Sequence, residues 1–395
     1  MKRNCVLGCL LIALAIILSG CWDRVEIEQR RFTIGIGIDR VPPGAEAQLG
    51  ERGFMELTAG KPKYRIVYAL ARLGAKEAGG EGKKTGKGEM DFLPTEAESG
   101  FESARSALLT QDRKLFFEHI KLIVLGEELA KENISDPLDF FSRDPEMRRR
   151  MRIVVSQGKA EDFLKLKPLG ETELPIVIVN MIRSRGTSKL NPEADLGHIM
   201  EKIHRGEAFD VPYMIKQENE PRIYGSAIFR KNRMVDTLGE IDSRGVNWMR
   251  GTMRGGVVSI TLDGAEHDIM LLELFSTKTR RKIKVDENGN IIFLVNIKVK
   301  GSVGENQLNK EDPLSEEYFK KVSGAVARQI EREVITTHQK LTSLNADVIE
   351  IGRQVHQEHP QLWEQIGDHW DEVFPTVKIL AKVEVEVNRV GLIRN

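Results

Sequence analysis

Beyond residue 30 the chain alternates between two hydrophobic periods. Thr33-Ile34-Gly35-Ile36-Gly37-Ile38-Asp39 sets three isoleucines on one face, the period of two that marks a β-strand. Tyr64 to Leu70 predicts a second strand, Glu96 to Leu109 a helix, and the mostly apolar Leu115 to Leu125 a further strand. Asp136-Pro137 and Asp144-Pro145 each join a capping side chain to a proline. A proline's missing N–H costs nothing at the first helical position, so both pairs predict helix starts. Arg152 to Ser156 reads as a strand and Ala160 to Leu166 as a helix. Leu196, Ile199, Met200 and Ile203 form one stripe of a helix predicted over Pro192 to Arg205, capped by Asn191 and stopped by Gly206.

In the next stretch, Arg222 to Arg230 and Met234 to Leu238 predict a hairpin turning at Lys231-Asn232-Arg233, and Asp242 to Met249 a short helix. Looser composition at Gly251 to Gly256 suits a boundary. Val257 to Leu262, Asp268 to Thr277 and Arg280 to Val285 predict strands, with an Asn288-Gly289 turn into Ile291 to Lys300. A helix capped by Asp312 is predicted from Pro313 to about Lys340. Val377 to Asn388 alternates apolar with polar positions, as an antiparallel strand with one solvated face would. The elements predict an α+β, or mixed α/β, chain. The expected divisions are 33–206 for an N-terminal α/β domain, 207–255 for a small middle domain, and 256–395 for an antiparallel sheet with one long helix.

The first residues follow another pattern. Lys2 and Arg3 precede Val6 to Leu18, an uncharged run of 13 residues, short of the roughly 20 needed to span a bilayer. It ends in Leu18-Ser19-Gly20-Cys21, an order similar to a bacterial lipobox closing a signal peptide over 1–20. Cys21 is then the expected lipid attachment, and 21–32 the tether. Cys5 and Cys9 lie in the segment to be removed, so the remainder has neither free thiol nor disulfide and relies on its core. Gly74 to Gly88 is almost wholly Gly, Lys and Glu, which predicts a surface loop. The 59 cationic and 59 anionic side chains balance and leave no nucleic-acid footprint.

Candidate chemistry is sparse. Gly35-Ile36-Gly37 with Asp39 lacks the third glycine of a dinucleotide fingerprint, and its glycines sit inside the strand rather than after it. Gly82-Lys83-Lys84-Thr85 lacks the leading glycine of a phosphate loop. His356 and His359, with His369 beyond, have loose metal-ligand spacing without an HExxH motif. His119 reads as a core histidine before a base. Neither a GxSxG elbow nor a nucleophilic cysteine is available, so no catalytic residue, metal or cofactor is expected. The basic run Arg143, Arg148, Arg149, Arg150 reads first as a solvated helix end and second as a contact for anionic lipid or an acidic partner.

Several blocks, in order, carry a family resemblance. Gly20-Cys21-Trp22-Asp23-Arg24-Val25-Glu26-Ile27 running into Ile34 to Asp39 resembles the opening of the Ger(x)C family, the lipoprotein C subunit of GerA-type spore germinant receptors. Leu115 to Lys121 with Gly126 to Ala130, Phe140 to Arg148 leading to Gly158-Lys159-Ala160, and Gly225 to Arg230 resemble its central and middle motifs. Asn345 to Ile349 and His359 to Trp363 through Trp370 resemble its C-terminal block. The resemblance implies three domains of mixed α/β character and a non-enzymatic subunit anchored through diacylglyceryl-Cys21 to the outer face of the inner spore membrane. It also implies integral-membrane A and B subunits as partners, with a scaffold or signalling role in the response to nutrients. The alternative class is a solute-binding lipoprotein that captures the nutrient itself, expected to show a cleft with convergent polar groups. A cell-wall hydrolase would need paired carboxylates, for which no constellation is present.

Overall fold

The structure is a computed structural model and describes residues 30–42, 63–72, 90–170, 172–184, 194–261, 269–306 and 316–388. The lipobox, Cys21, the Gly74 to Gly88 loop with its Gly-Lys-Lys-Thr, and the expected caps Asn191 and Asp312 lie outside the described residues.

The first strand, β1 (Arg30–Arg40), is followed by β2 (Tyr64–Ala71), β3 (Met90–Ala97), α1 (Gly100–Leu109), β4 (Lys114–Phe116), β5 (Leu122–Gly126), α2 (Glu127–Glu132), α3 (Ser135–Arg143) and β6 (Arg152–Ser156). Then come α4 (Ala160–Leu164), α5 (Leu174–Arg183), α6 (Leu196–His204), β7 (Phe209–Gln217), β8 (Glu220–Arg230) and β9 (Arg233–Leu238). Among the described residues these nine strands make one sheet in the order β3-β2-β1-β5-β6-β7-β8-β9, with β4 beside the start of β1. Strands β1, β5, β6 and β7 run parallel. Every residue of β5 is buried, as expected where helices cover both faces of a parallel sheet.

One face packs Ile36, Ile38, Ile123 and Ile153 against Ala104 of α1, Leu138 and Phe141 of α3, and Leu196 and Ile199 of α6. The other packs Val67, Val124 and Val154 against Phe163 and Leu164 of α4 and Ile178 of α5. The two glycines of the Gly-Ile-Gly of β1 lie on this second face, opposite Ile36. A Cβ on Gly35 would stand 2.6 Å from Pro175 Cγ, and one on Gly37 would stand 3.4 Å from the backbone of Ala160. The glycines admit α4 and α5 to the sheet. Asp39 caps α4, accepting from the backbone N–H of Ala160 (2.7 Å) and Glu161 (2.9 Å), so a motif with a dinucleotide flavour serves packing.

The second sheet follows α7 (Glu240–Arg250) and contains β10 (Val257–Thr261), β11 (Ile269–Val285) and β12 (Ile291–Asn306). Next are α8 (Glu316–Ser343), α9 (Ile351–Glu358), α10 (Pro360–Ile366), α11 (Trp370–Val373) and the last strand, β13 (Lys378–Asn388). The order is β10-β11-β12-β13. Val322, Val326, Ile330 and Val334 of α8 pack on Phe293, Val295, Ile297 and Val299. The stretch 207–255, expected as a middle unit, is shared. Its strands extend the first sheet through β7 and β8, while Ile228, Leu238 and α7, through Trp248 and Met249, join the second core.

The structure corrects several local expectations. Strand β13 pairs parallel to β12, because the chain returns through α8 to α11 and re-enters from the same end. The two strands expected over 268–285 are one, β11, whose register shifts between Leu274 and Ser276. Leu115 to Leu125 divides into β4 and β5 around a turn, and His119 is exposed there against the Phe32 and Phe116 rings. Asp144-Pro145 opens no helix; Asp144 Oδ1 accepts from the N–H of Glu146 at 2.8 Å, closing a turn. Residues 96 and 97 end β3 rather than start α1, which begins behind Ser99. The cap of α6 is Asp195, which accepts from His198 N–H at 3.1 Å.

Candidate functional site

Helix α8 ends in a left-handed Asn345 (φ 51°), a conformation asparagine tolerates at a helix terminus. The chain turns there into Asp347, which caps α9. Asp347 Oδ1 accepts from Ile351 N–H at 2.8 Å and Oδ2 from Gly352 N–H at 2.7 Å. Trp370 Nε1–H donates to the same Oδ2 at 3.1 Å. Burial pushes the Asp347 carboxyl up against these hydrogen bonds. Gly352 has no room for a side chain, since a Cβ would lie 2.7 Å from Trp370. Trp363 stacks on His356 with centroids 5.5 Å apart and an interplanar angle of 16°, and its ring meets Trp370 at 5.4 Å.

This knot faces the N-terminal sheet across a junction of ion pairs. Lys202 of α6 is buried and donates to Glu207 at 2.6 Å and to Glu350 at 2.5 Å. Glu350 sits at φ 62° and ψ 42°, strained for a non-glycine residue by roughly 1–3 kcal/mol. Its carboxyl, raised by burial, is held below the usual range by Lys202, with Arg353 and Arg250 adding to the pull. Arg250, at the end of α7, donates to Asp210 of β7 at 2.6 Å and through Nε to the carbonyl of Val348 at 3.2 Å. Arg281 donates to the carbonyl of Ile349 at 2.7 Å, and Arg230 of β8 to Asp371 at 2.8 Å. Three elements of the first sheet's unit, α6, β7 and β8, thus meet α7, β11, α9 and α11 of the second's across these charged contacts.

Beside the network lies a cavity of about 600 Å³, lined on one side by Arg205, Glu207 and Arg230 and on the other by Asp347, Trp363 and Trp370. That volume falls in the range of small-ligand sites. Among the described residues no three His, Asp or Glu side chains are grouped as a metal ion would need.

The residues singled out from the sequence fall elsewhere. Cys21 and the lipobox are outside the described residues. Arg143, Arg148, Arg149 and Arg150 are all exposed at the end of α3 and in the turns before β6. Arg143 pairs with Asp139 at 2.7 Å, Arg148 stands 3.6 Å from Glu118, and Arg149 donates to the Gly197 carbonyl at 3.4 Å. His356, in the last turn of α9, and His359, just before α10, flank the end of α9, with His356 in the cavity wall. The junction residues Lys202, Asp210, Arg250 and Glu350 were not singled out. A lysine beside the apolar stripe of α6 was the one visible signal.

Comparison with known proteins covers nearly the whole chain. Residues 23–216 match the model of the spore germination protein N-terminal domain, and residues 224–391 that of the spore germination B3/GerAC-like C-terminal domain. The chain is 26% identical to spore germination protein YndF of Bacillus subtilis over 100% of its own length and 98% of the relative's. It is 24% identical to spore germination protein B3 of the same organism, covering 95% of each, and 25% identical to spore germination protein KC, covering 100% of this chain and 98% of that one. The crystal structure of the GerBC protein superposes with a TM-score of 0.57 at 20% identity, over 85% of this chain and 96% of that one. The second family model begins inside β8, a strand of the first sheet, so the two matched regions interlock through the β8–β9 hairpin.

Proposed function

Because the chain belongs to the Ger(x)C family of spore germination proteins, we propose that it is the C-type subunit of a nutrient germinant receptor, a non-enzymatic scaffold. In this reading two acyl chains on Cys21 hold it to the outer face of the inner spore membrane, beside the integral-membrane A and B subunits. Two-chain anchoring is stable where one chain is marginal. It also raises the effective concentration of partners, so modest interfaces suffice. The observation that carries the reading is the end-to-end match to spore germination proteins, across both sheets and the junction between them. Among the described residues no helix is long and apolar enough to cross a membrane, which leaves the anchoring to the leader and its cysteine. Cys21→Ala is expected to move the protein from the membrane to the soluble fraction and to slow nutrient germination, with its melting temperature unchanged. Germination at the parental rate by the released protein would refute the scaffold role.

The junction cavity favours a second reading, capture of a small nutrient by this subunit. Its carboxylates and guanidinium groups are largely engaged with one another, through Lys202–Glu350, Arg353–Glu350 and Arg230–Asp371, which argues for a closed junction before an open site. Calorimetry of the soluble chain against amino acids and sugars separates the two. Saturable micromolar heats abolished by Trp370→Ala would establish capture.

A further inference from the structure

From the register of the C-terminal sheet we infer that its bare face is a docking surface for an anionic bilayer. One face of β11, β12 and β13 carries the core against α8. The other is exposed and consists of the even-numbered positions beyond the β11 register shift. Read across the sheet, its rows are Lys284, Ile292, Lys378; Lys282, Leu294, Leu380; Arg280, Asn296, Lys382; and Lys278, Lys298, Glu384. Successive rows are about 6.7 Å apart and strands about 4.8 Å, so the four cations of β11 form a column about 20 Å long. Farther along, Lys298 and Lys300 pair with Glu384 and Glu386 at 2.7 and 2.6 Å, and Lys382 approaches Glu384 at 3.6 Å. Among the described residues Lys278, Arg280, Lys282 and Lys284 carry no ion pair. Lys378 likewise carries no ion pair, with Asp286 nearby.

Among the described residues no carboxylate offsets this column by an ion pair. Across Leu294 from Lys282, on the edge strand β13, stands Leu380, 60% exposed. A column of cations beside the apolar strip of Ile292, Leu294 and Leu380 matches a surface of anionic headgroups over acyl chains more closely than it matches a peptide. Strands β1 and β7 are parallel members of one sheet, so Arg30, where the segment from Cys21 enters, and Asp210, which holds Arg250 of the C-terminal unit, lie toward the same end of that sheet. The nine residues from Cys21 to Arg30 reach at most about 30 Å. The orientation thus rests on the anchoring proposed above, whereas the surface chemistry does not.

Vesicle co-sedimentation of the chain beginning at Trp22, which retains every described residue and has no lipid, tests the face apart from the anchor. Binding is expected to vesicles of phosphatidylglycerol mixed with phosphatidylcholine and not to phosphatidylcholine alone. It should fall as salt rises from about 0.1 M to about 1 M and the Debye length shrinks from about 10 to about 3 Å. Replacing Arg280, Lys282, Lys284 and Lys378 with serine should weaken partitioning by about fivefold per cation, several hundredfold together. Lys282→Arg with Lys284→Arg should retain binding. The chain from Trp22 has no cysteine, so Leu380→Cys takes one environment-sensitive fluorophore, whose emission should shift to the blue on the anionic vesicles. Unchanged binding by the serine variant, no blue shift, or loss of binding only on replacing Arg148, Arg149 and Arg150 would overturn the inference. So would binding to polyglutamate in place of vesicles.

Discussion

Arg250→Met removes one cation from the junction and tests whether the two sheets are held by this network. The Arg250 side chain is 15% exposed and that of Asp210 is 2% exposed, so the pair is shielded from solvent. Removing one partner of such a pair costs about 3–5 kcal/mol, because the remaining charge stays buried without its counter-charge. The lower end applies, since Asp210 keeps a further interaction; the expected loss is about 3 kcal/mol. At a urea slope of about 3 kcal/mol per M, suited to a chain this long, the unfolding midpoint drops by about 1 M. Arg250→Met with Asp210→Asn removes the stranded charge and should regain at least half of the loss, a coupling read directly from the double-mutant cycle. A midpoint within about 0.3 M of the parent for the single variant would refute the reasoning, and so would a double variant no more stable than the single.

Gly245→Ala forces a Cβ to 2.0 Å from Thr337 Oγ1 and 2.9 Å from the Glu333 carbonyl, overpacking the contact of α7 with α8. A loss of at least about 2 kcal/mol is expected, partly recovered by Thr337→Ala and read by thermal melting. His338 is buried and its pKa is pushed down by that burial from 6.5 to about 4. The folded chain therefore binds fewer protons than the unfolded one between these values, and stability is lost as pH falls through the window. Between pH 7 and pH 5 the loss is about 2 kcal/mol. Glu161, held down to about 2 chiefly by Arg65, contributes its loss only below the ordinary carboxylate pKa. Asp39 and Asp347, both raised by burial, act with the opposite sign. The diagnostic is thus the difference between the parent and His338→Leu in melting temperature at pH 7 and pH 5. Identical pH dependence in the two would remove histidine as the cause.

Where the period of a segment reports burial on one element, the sequence was legible. The isoleucines of β1 and the odd positions of β12 were read as strands because every second residue meets a core. The orientation of β13 was not legible in that way, since a half-buried strand alternates identically in parallel and antiparallel pairing. Only the crossover through α8 decides it. Strand β3 escaped because Pro94 lacks a ladder donor, yet β3 is an edge strand, where proline is tolerated. The shifted register of β11 inverts its alternation midway, so one strand read as two. The junction was beyond reach for another reason. Lys202 and Glu350 are 148 residues apart and Arg250 and Val348 are 98 apart, and no local pattern encodes pairs closed by the whole fold. The C-terminal block was recognised by resemblance alone, and its Asp347, Trp363 and Trp370 prove to be the knot of that junction.

The charged junction and the basic sheet face have a joint consequence. The β8–β9 hairpin of the N-terminal sheet packs Ile228 and Leu238 into the core of the C-terminal unit, so a shift of one unit against the other would disturb the ion pairs of Arg250 and Lys202. These pairs are buried, and screening reaches them weakly, whereas the cations of the sheet face are exposed and screened within a Debye length. Raising salt should therefore release the unlipidated chain from anionic vesicles while leaving its urea midpoint almost unchanged. The two properties are carried by different residues, so the serine face variant should shift vesicle binding and not stability, and Arg250→Met should do the reverse. A face variant that lost stability in step with binding would show that the sheet face supports the fold, and the surface would then have no separate role.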